Sequence, residues 1–269
     1  MKKLRDPFRL RDTGRPEIAF LWKNLLAMGR LFSPRSALVA AAVIAAACLW
    51  LAGAELGGGQ AFVAIAATVL FAIVMLLGPQ FARHDLRSDL KNADILKTYP
   101  LHGFQIVFGE MLAPLAVLTV IAWLALLAMS LSAAALEIPA LVRIAAPLAV
   151  AVCTPLFCAL QLVIQNAIAL IFPAWVQSVS NPGEHGLDVM GQRLVFLAGQ
   201  ILLLALGVLP ALIGAAAAFF VVNWLVGPIV AGLLAWLVVL TVLGVEIWAS
   251  VRWLGVRFAH FDLSSELRP

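Results

Sequence analysis

Charge is what this sequence has least of. Only 12% of its 269 residues are Asp, Glu, Lys or Arg and 64% are apolar, whereas a soluble domain carries about 25% charged and about 45–50% apolar residues. That balance excludes an ordinary soluble domain and makes the chain a membrane protein. At about 20 apolar residues per spanning helix, the length holds roughly five to seven spans. No sizeable soluble catalytic domain fits beside them.

Other absences narrow the function. There are three cysteines, Cys48, Cys153 and Cys158, all inside apolar runs with neither metal spacing nor a disulfide framework, so they read as small buried side chains. The chain has no Gly-x-Ser-x-Gly elbow, no His-Glu-x-x-His zinc helix and no Gly-x-x-x-x-Gly-Lys phosphate loop. His102 and His260 belong to no recognisable catalytic group. No residue is therefore assigned as catalytic or metal-binding, and the chain by itself lacks the means to hydrolyse ATP by a phosphate-loop mechanism. The net charge of +4 does not indicate nucleic acid, because the basic residues gather at the start of the chain and in a few connections, a pattern that reads as topology. A cleaved signal is not expected either, since the first apolar run begins near Ala37 behind a long polar stretch rich in Arg and Lys.

Six apolar runs are long enough to span, at about 36–54, 60–80, 106–132, 144–171, 194–222 and 228–250. The third, fourth and fifth exceed what a straight crossing needs at about 1.5 Å per residue, so they tilt, kink or project, with Pro114, Pro147, Pro155 and Pro210 as kink points. An even number of spans puts both termini on one side. The N-terminal segment then holds nine Lys and Arg, the 81–105 loop four, the 172–193 loop one and the C-terminus beyond the last run three. The opposite side holds only Arg143. Cytoplasmic segments keep positive charge, so the sorting predicts an all-α, six-span protein with both ends inside. Its parts are a cytoplasmic segment 1–35, a transmembrane domain 36–253 and a tail 254–269.

Residues 17–32 are too polar to cross, yet Ile18, Leu21, Trp22, Leu25, Leu26, Met28, Gly29 and Phe32 form one apolar arc at 100° per residue. Glu17, Lys23, Asn24 and Arg30 lie opposite. This predicts an amphipathic helix in the headgroup plane, with Trp22, Lys23 and Arg30 as interface anchors; packing against neighbouring protein is the alternative. Trp175, after the helix-stopping Pro173, is a further anchor. The same loop carries Glu184, His185 and Asp188, whose spacing matches no metal motif, and an Asn181-Pro182-Gly183 turn.

The loop RHDLRSDLKNADILKTYPLHG is the most informative stretch. Asp85, Arg87, Asp89, Lys91, Asp94 and Lys97 accompany Leu86, Leu90 and Ala93 at helical spacing, ahead of Pro100, which disfavours helix at Tyr99. It reads either as a solvated turn-helix or as a docking element for a soluble partner, with Leu96 and Leu101 as apolar plugs and the charges fixing orientation. Within the spans, Glu110, Gln161, Gln165, Asn166, Gln200 and Glu246 are the polar candidates, because ionisable and amide groups are costly there. Interhelical hydrogen bonds account for the amides; a strip beside a substrate path is the other reading.

EIAFLWKNLLAMGR before the first span, DLRSDLKNADILKTYPLHGFQIVFGEMLAP around the second connection, FPAWV, GLDVMGQR and the terminal RFAHFDLSSEL resemble the permease subunits of type 2 ABC exporters, in particular a bacterial ABC exporter family. The resemblance covers most of the chain and implies six spans, a multi-pass location in the bacterial inner membrane, and a coupling helix over Asp85 to Lys97 with Pro100 and Leu101 leading into span three. It implies a second permease half, as homodimer or heterodimer, and a separate nucleotide-binding ATPase that holds the ATP and Mg; the permease binds no cofactor. Members are commonly twice this length, and the stretch from Glu17 resembles the start of their second half. The connection between spans five and six is also shorter than theirs. A secondary transporter, a structural or assembly protein and an intramembrane enzyme are the alternatives. Intramembrane charges or broken helices would favour the first.

Overall fold

The computed structural model describes residues 14–28, 34–53, 57–81, 85–132, 139–173 and 187–261, and these are helical with no strand among them. A short helix α1 (Pro16–Ala27) precedes α2 (Pro34–Gly53) and α3 (Gly57–Phe81). The connection that follows holds α4 (Leu86–Asp89), a 3-10 turn (Leu90–Asn92) and α5 (Ala93–Thr98). Then come α6 (Gly103–Ser132), α7 (Ala140–Ile171), α8 (Leu187–Leu225) and α9 (Pro228–His260).

Among the described residues, five helices are long and apolar enough to cross a membrane: Gly59–Gln80, Gly103–Ser132, Leu141–Ile171, Leu194–Leu225 and Pro228–His260. The expected first span falls on α2, whose apolar stretch Leu38–Trp50 is shorter. The helices also outrun several expected spans. Backbone hydrogen bonding continues past the apolar residues, so α9 runs to His260, where Arg252 and Arg257 lie over the rings of Trp248 and Trp253, at 4.3 and 5.4 Å from their centroids. Each cation sits four residues after its ring, one turn along the same face.

Helix α6 is central and packs against α1, α2, α3, α7 and α9. The main core gathers around it: Phe20 of α1, Leu86, Leu90, Ala93 and Leu96 of the loop, Ile106, Met111 and Leu118 of α6, Leu162 of α7, and Leu254 and Phe258 of α9. At one end α6 and α9 meet backbone to backbone, because a Cβ on Gly103 would stand 2.2 Å from the Gly255 carbonyl oxygen. Small residues permit that close approach between apolar helices.

Prolines inside the long helices release carbonyls that other helices take up. Pro155 cannot donate to Ala151, four residues earlier, and the Trp123 indole of α6 donates to that oxygen at 2.8 Å. In a dry interior such a replacement partner is what makes proline tolerable.

Candidate functional site

The loop between α3 and α6 does not stand off in solvent. Asp85 caps α4, its carboxylate accepting from the Arg87 backbone N–H at 3.1 Å. An Asp is well suited to that position because it satisfies a helix-terminal donor. The side chain of Asp85 is wholly buried and takes both oxygens to within 2.9 Å of Arg87 Nε. The rest of the guanidinium fork is spent on the bundle. One terminal nitrogen donates to Gln165 Oε1 of α7 and the other to the Pro79 carbonyl of α3 at 2.6 Å.

The network continues through amides. Gln165 Nε2 and Gln80 Nε2 both donate to Gln200 Oε1 of α8, at 2.9 and 3.0 Å, and Gln200 Nε2 reaches the Leu76 carbonyl at 3.3 Å. Asn166 Nδ2 donates to Leu162 O at 2.8 Å and lies 3.4 Å from Asp85 Oδ2. A single arginine of the loop is thus hydrogen-bonded into α3 and α7, and one amide further into α8.

A second cluster joins the loop to α1 and α6. Gly109 leaves room for Phe20, since a Cβ there would lie 2.9 Å from Phe20 atoms. With α1 this close, Lys23 Nζ donates to Glu110 Oε1 at 2.6 Å and also to Asp89 of α4. Asn24 Nδ2 donates to Glu110 Oε2 at 2.6 Å and, more weakly at 3.4 Å, to the Glu110 carbonyl. That carbonyl is the one Pro114 releases four residues later. Partial burial of the Lys23 ammonium works against its charge, but the hydrogen bonds it donates to Asp89 and Glu110 outweigh this and raise its pKa above the ordinary lysine value. At the far end of the loop, Lys97 donates to the Phe261 carbonyl beyond α9 and sits over the Phe258 ring.

The expected residues therefore divide. Glu110, Gln165, Asn166 and Gln200 are drawn into these networks, whereas Gln161, with both side-chain polar atoms buried and unpartnered, and Glu246, with one such oxygen, are not. Leu86, Leu90 and Leu96 are buried in the chain's own core, and Leu101 packs against it. This corrects the expectation that Leu96 and Leu101 project as plugs, and that Asp85, Arg87 and Asp89 face water: the apolar side chains are needed beneath the loop, and the charges have partners in the bundle. Pro100 and Asp94 remain exposed. The most exposed apolar residues of the loop are Ile95 at 59% and Tyr99 at 49%, neither of which was singled out. Their signal is helical phase, because they fall away from the buried pair Ala93 and Leu96. The polar face of α1 packs on α6 through Asn24, while Ile18 and Leu26 on the apolar arc stay exposed. Arg30 and Trp175 lie outside the described residues, and nothing is described of the Lys91 side chain.

Among the described residues no group of three or more His, Cys, Asp or Glu could hold a metal ion. Helices of this length and apolarity define a helical membrane protein that crosses the bilayer several times. Beyond that class no assignment by likeness is made: no family model, curated protein or solved structure matches the chain.

Proposed function

We propose that the chain is the transmembrane permease subunit of an ATP-driven ABC exporter of the bacterial inner membrane, working with a second permease half and with separate nucleotide-binding subunits. The observation that carries this reading is the loop over residues 85–101, which is hydrogen-bonded to α1, α3, α7 and Phe261 and shares a core with α6 and α9, yet exposes Ile95, Thr98 and Tyr99. A coupling element needs both properties. A surface that a soluble subunit can grip is useless if the loop deforms, and polar anchorage to several helices lets a displacement reach the bundle. The reading counts α2, whose twenty residues rise about 30 Å, as the sixth span, and the sorting of basic residues supports a cytoplasmic location for both ends and this loop. Nucleotide binding by the partner then shifts the bundle between inward and outward access to the extent that the two states grip the loop differently.

Co-expression with the nucleotide-binding subunit encoded nearest to it tests the reading. The pair co-purifies, ATP hydrolysis requires the partner, and Ile95→Asp or Tyr99→Asp lowers recovery of the ATPase at least about tenfold while the thermal unfolding of the permease is unchanged. Undiminished recovery with both variants, or ATP hydrolysis by the purified chain alone, overturns it. A secondary transporter is the second reading, favoured by the buried charges Asp85, Arg87 and Glu110. Uptake or release driven by a proton gradient in liposomes lacking any ATPase would establish it instead.

A further inference from the structure

Where α1 begins beside the first turns of α6 there is a groove of about 490 Å³ that belongs to neither polar network. Arg15 and Glu17 stand on its α1 side, and Ile18, Phe104, Phe108 and Leu112 supply an apolar floor. Phe104 and Phe108 are stacked, with centroids 5.8 Å apart and planes within 4°. The two charges do not form an ion pair with each other, and Glu17 Oε2 is withdrawn from water without any hydrogen-bond partner. A carboxylate oxygen in that condition is costly unless the side chain turns to meet a donor. The groove thus offers a cation, a carboxylate lacking a donor and an apolar track, along the first turn of α1 and the first turns of α6.

We propose that this groove binds a phospholipid with a primary amine headgroup, phosphatidylethanolamine, its phosphate on Arg15, its ammonium on Glu17 and an acyl chain along Ile18, Phe104, Phe108 and Leu112. Charge complementarity selects the occupant. A phosphate suits the guanidinium. An ammonium with N–H bonds supplies both donor and countercharge once the Glu17 carboxylate turns toward the groove, whereas a choline headgroup has no N–H to give and a glycerol headgroup no charge to match. Exposed Ile18 and Phe108 then face acyl chain and not water. The site draws on the reading of α1 as an interfacial helix and is independent of the exporter assignment.

The full-length chain, delipidated in detergent, is offered equal amounts of dioleoyl phosphatidylethanolamine, phosphatidylcholine and phosphatidylglycerol, and bound lipid is counted by native mass spectrometry. Ethanolamine lipid is retained about tenfold over the choline lipid, which has the same phosphate without N–H donors. Glu17→Gln, nearly isosteric, erases that preference while lipid still binds, and Arg15→Ala lowers retention of all three. Equal retention of the three lipids by the parent chain, an ethanolamine preference that survives Glu17→Gln, or retention unaffected by Arg15→Ala overturns the proposal. Thermal unfolding of each variant confirms that the comparison is made on folded protein.

Discussion

Glu110 is wholly out of water, whereas its one cation, Lys23, keeps 45% of its side chain exposed and is shared with Asp89. The asymmetry predicts unequal mutants. Lys23→Met leaves a buried carboxylate with only Asn24 and costs about 1–3 kcal/mol, below the usual penalty for breaking a buried pair because Lys23 is half solvated. Glu110→Gln keeps the contact with Asn24 and removes the charge, so it costs less, and in the double variant it recovers most of the Lys23→Met loss. Chemical denaturation of the four proteins checks this order. The pH dependence has a definite sign. Lys23 has a folded pKa raised above 10.5, so its contribution is complete below that value and is lost as pH rises through the folded pKa. The parent protein loses this increment in alkali and Lys23→Met does not. Glu110, Gln165, Asn166 and Gln200 stand out in the sequence because a polar group in an apolar run needs a reason. Their partners do not, since Gln200 receives hydrogen bonds from residues 35 and 120 positions away. Pairing across such separations is fixed by packing, and no local pattern encodes it.

At the scale of elements, the helices were legible and their attachments were not. Apolar run length locates α3, α6, α7, α8 and α9, but it cannot show that helix α8 begins at Leu187 or that α9 continues to His260, because those ends are polar; at the end of α9 the Arg252 and Arg257 cations lie over Trp248 and Trp253. The loop looked solvated because its charges are dense. Its four core residues Leu86, Leu90, Ala93 and Leu96 instead tie it down, so Leu96→Asp destabilises the bundle by several kcal/mol, about 3 or more, and cannot report on docking as Ile95→Asp does. Detergent thermal stability separates the two. Opposite-charge replacement at Asp89 is also not silent: Asp89→Lys sets a cation beside Lys23 and loosens α1 from the loop. The prolines make a sharper test. Trp123→Phe strands the Ala151 carbonyl that Pro155 cannot serve, at about 1 kcal/mol or more. Pro155→Ala restores a backbone donor, so in that background the same Trp123 substitution is close to neutral. Equal costs of Trp123→Phe in both backgrounds would show that the indole packs without capping.

For the whole molecule the deciding quantity is the placement of charge relative to the bilayer. Seventeen of the eighteen Lys and Arg fall on one side if six helices cross, and Arg143 alone on the other. Large apolar side chains such as Leu202, Ile213, Phe220, Ile229 and Leu233 of α8 and α9 are exposed, which water would not tolerate over so long a surface and acyl chains would. Helix α8, at 39 residues, rises about 58 Å and overshoots a hydrocarbon layer about 30 Å thick; it therefore tilts or projects into the aqueous phase. The orientation is open to direct measurement with reporter fusions. Those placed after residues 96 and 185 are active on the cytoplasmic side, and those near 57 and 137 on the external side. The fusion after 96 carries the most weight, because it stands in the loop that couples the bundle to its ATPase in the proposed mechanism. An external reporter there would put Ile95 and Tyr99 on the side that has no ATP. The two polar networks would still hold the loop to the helices, but as an extracellular brace, and the exporter reading would lose the surface on which it depends.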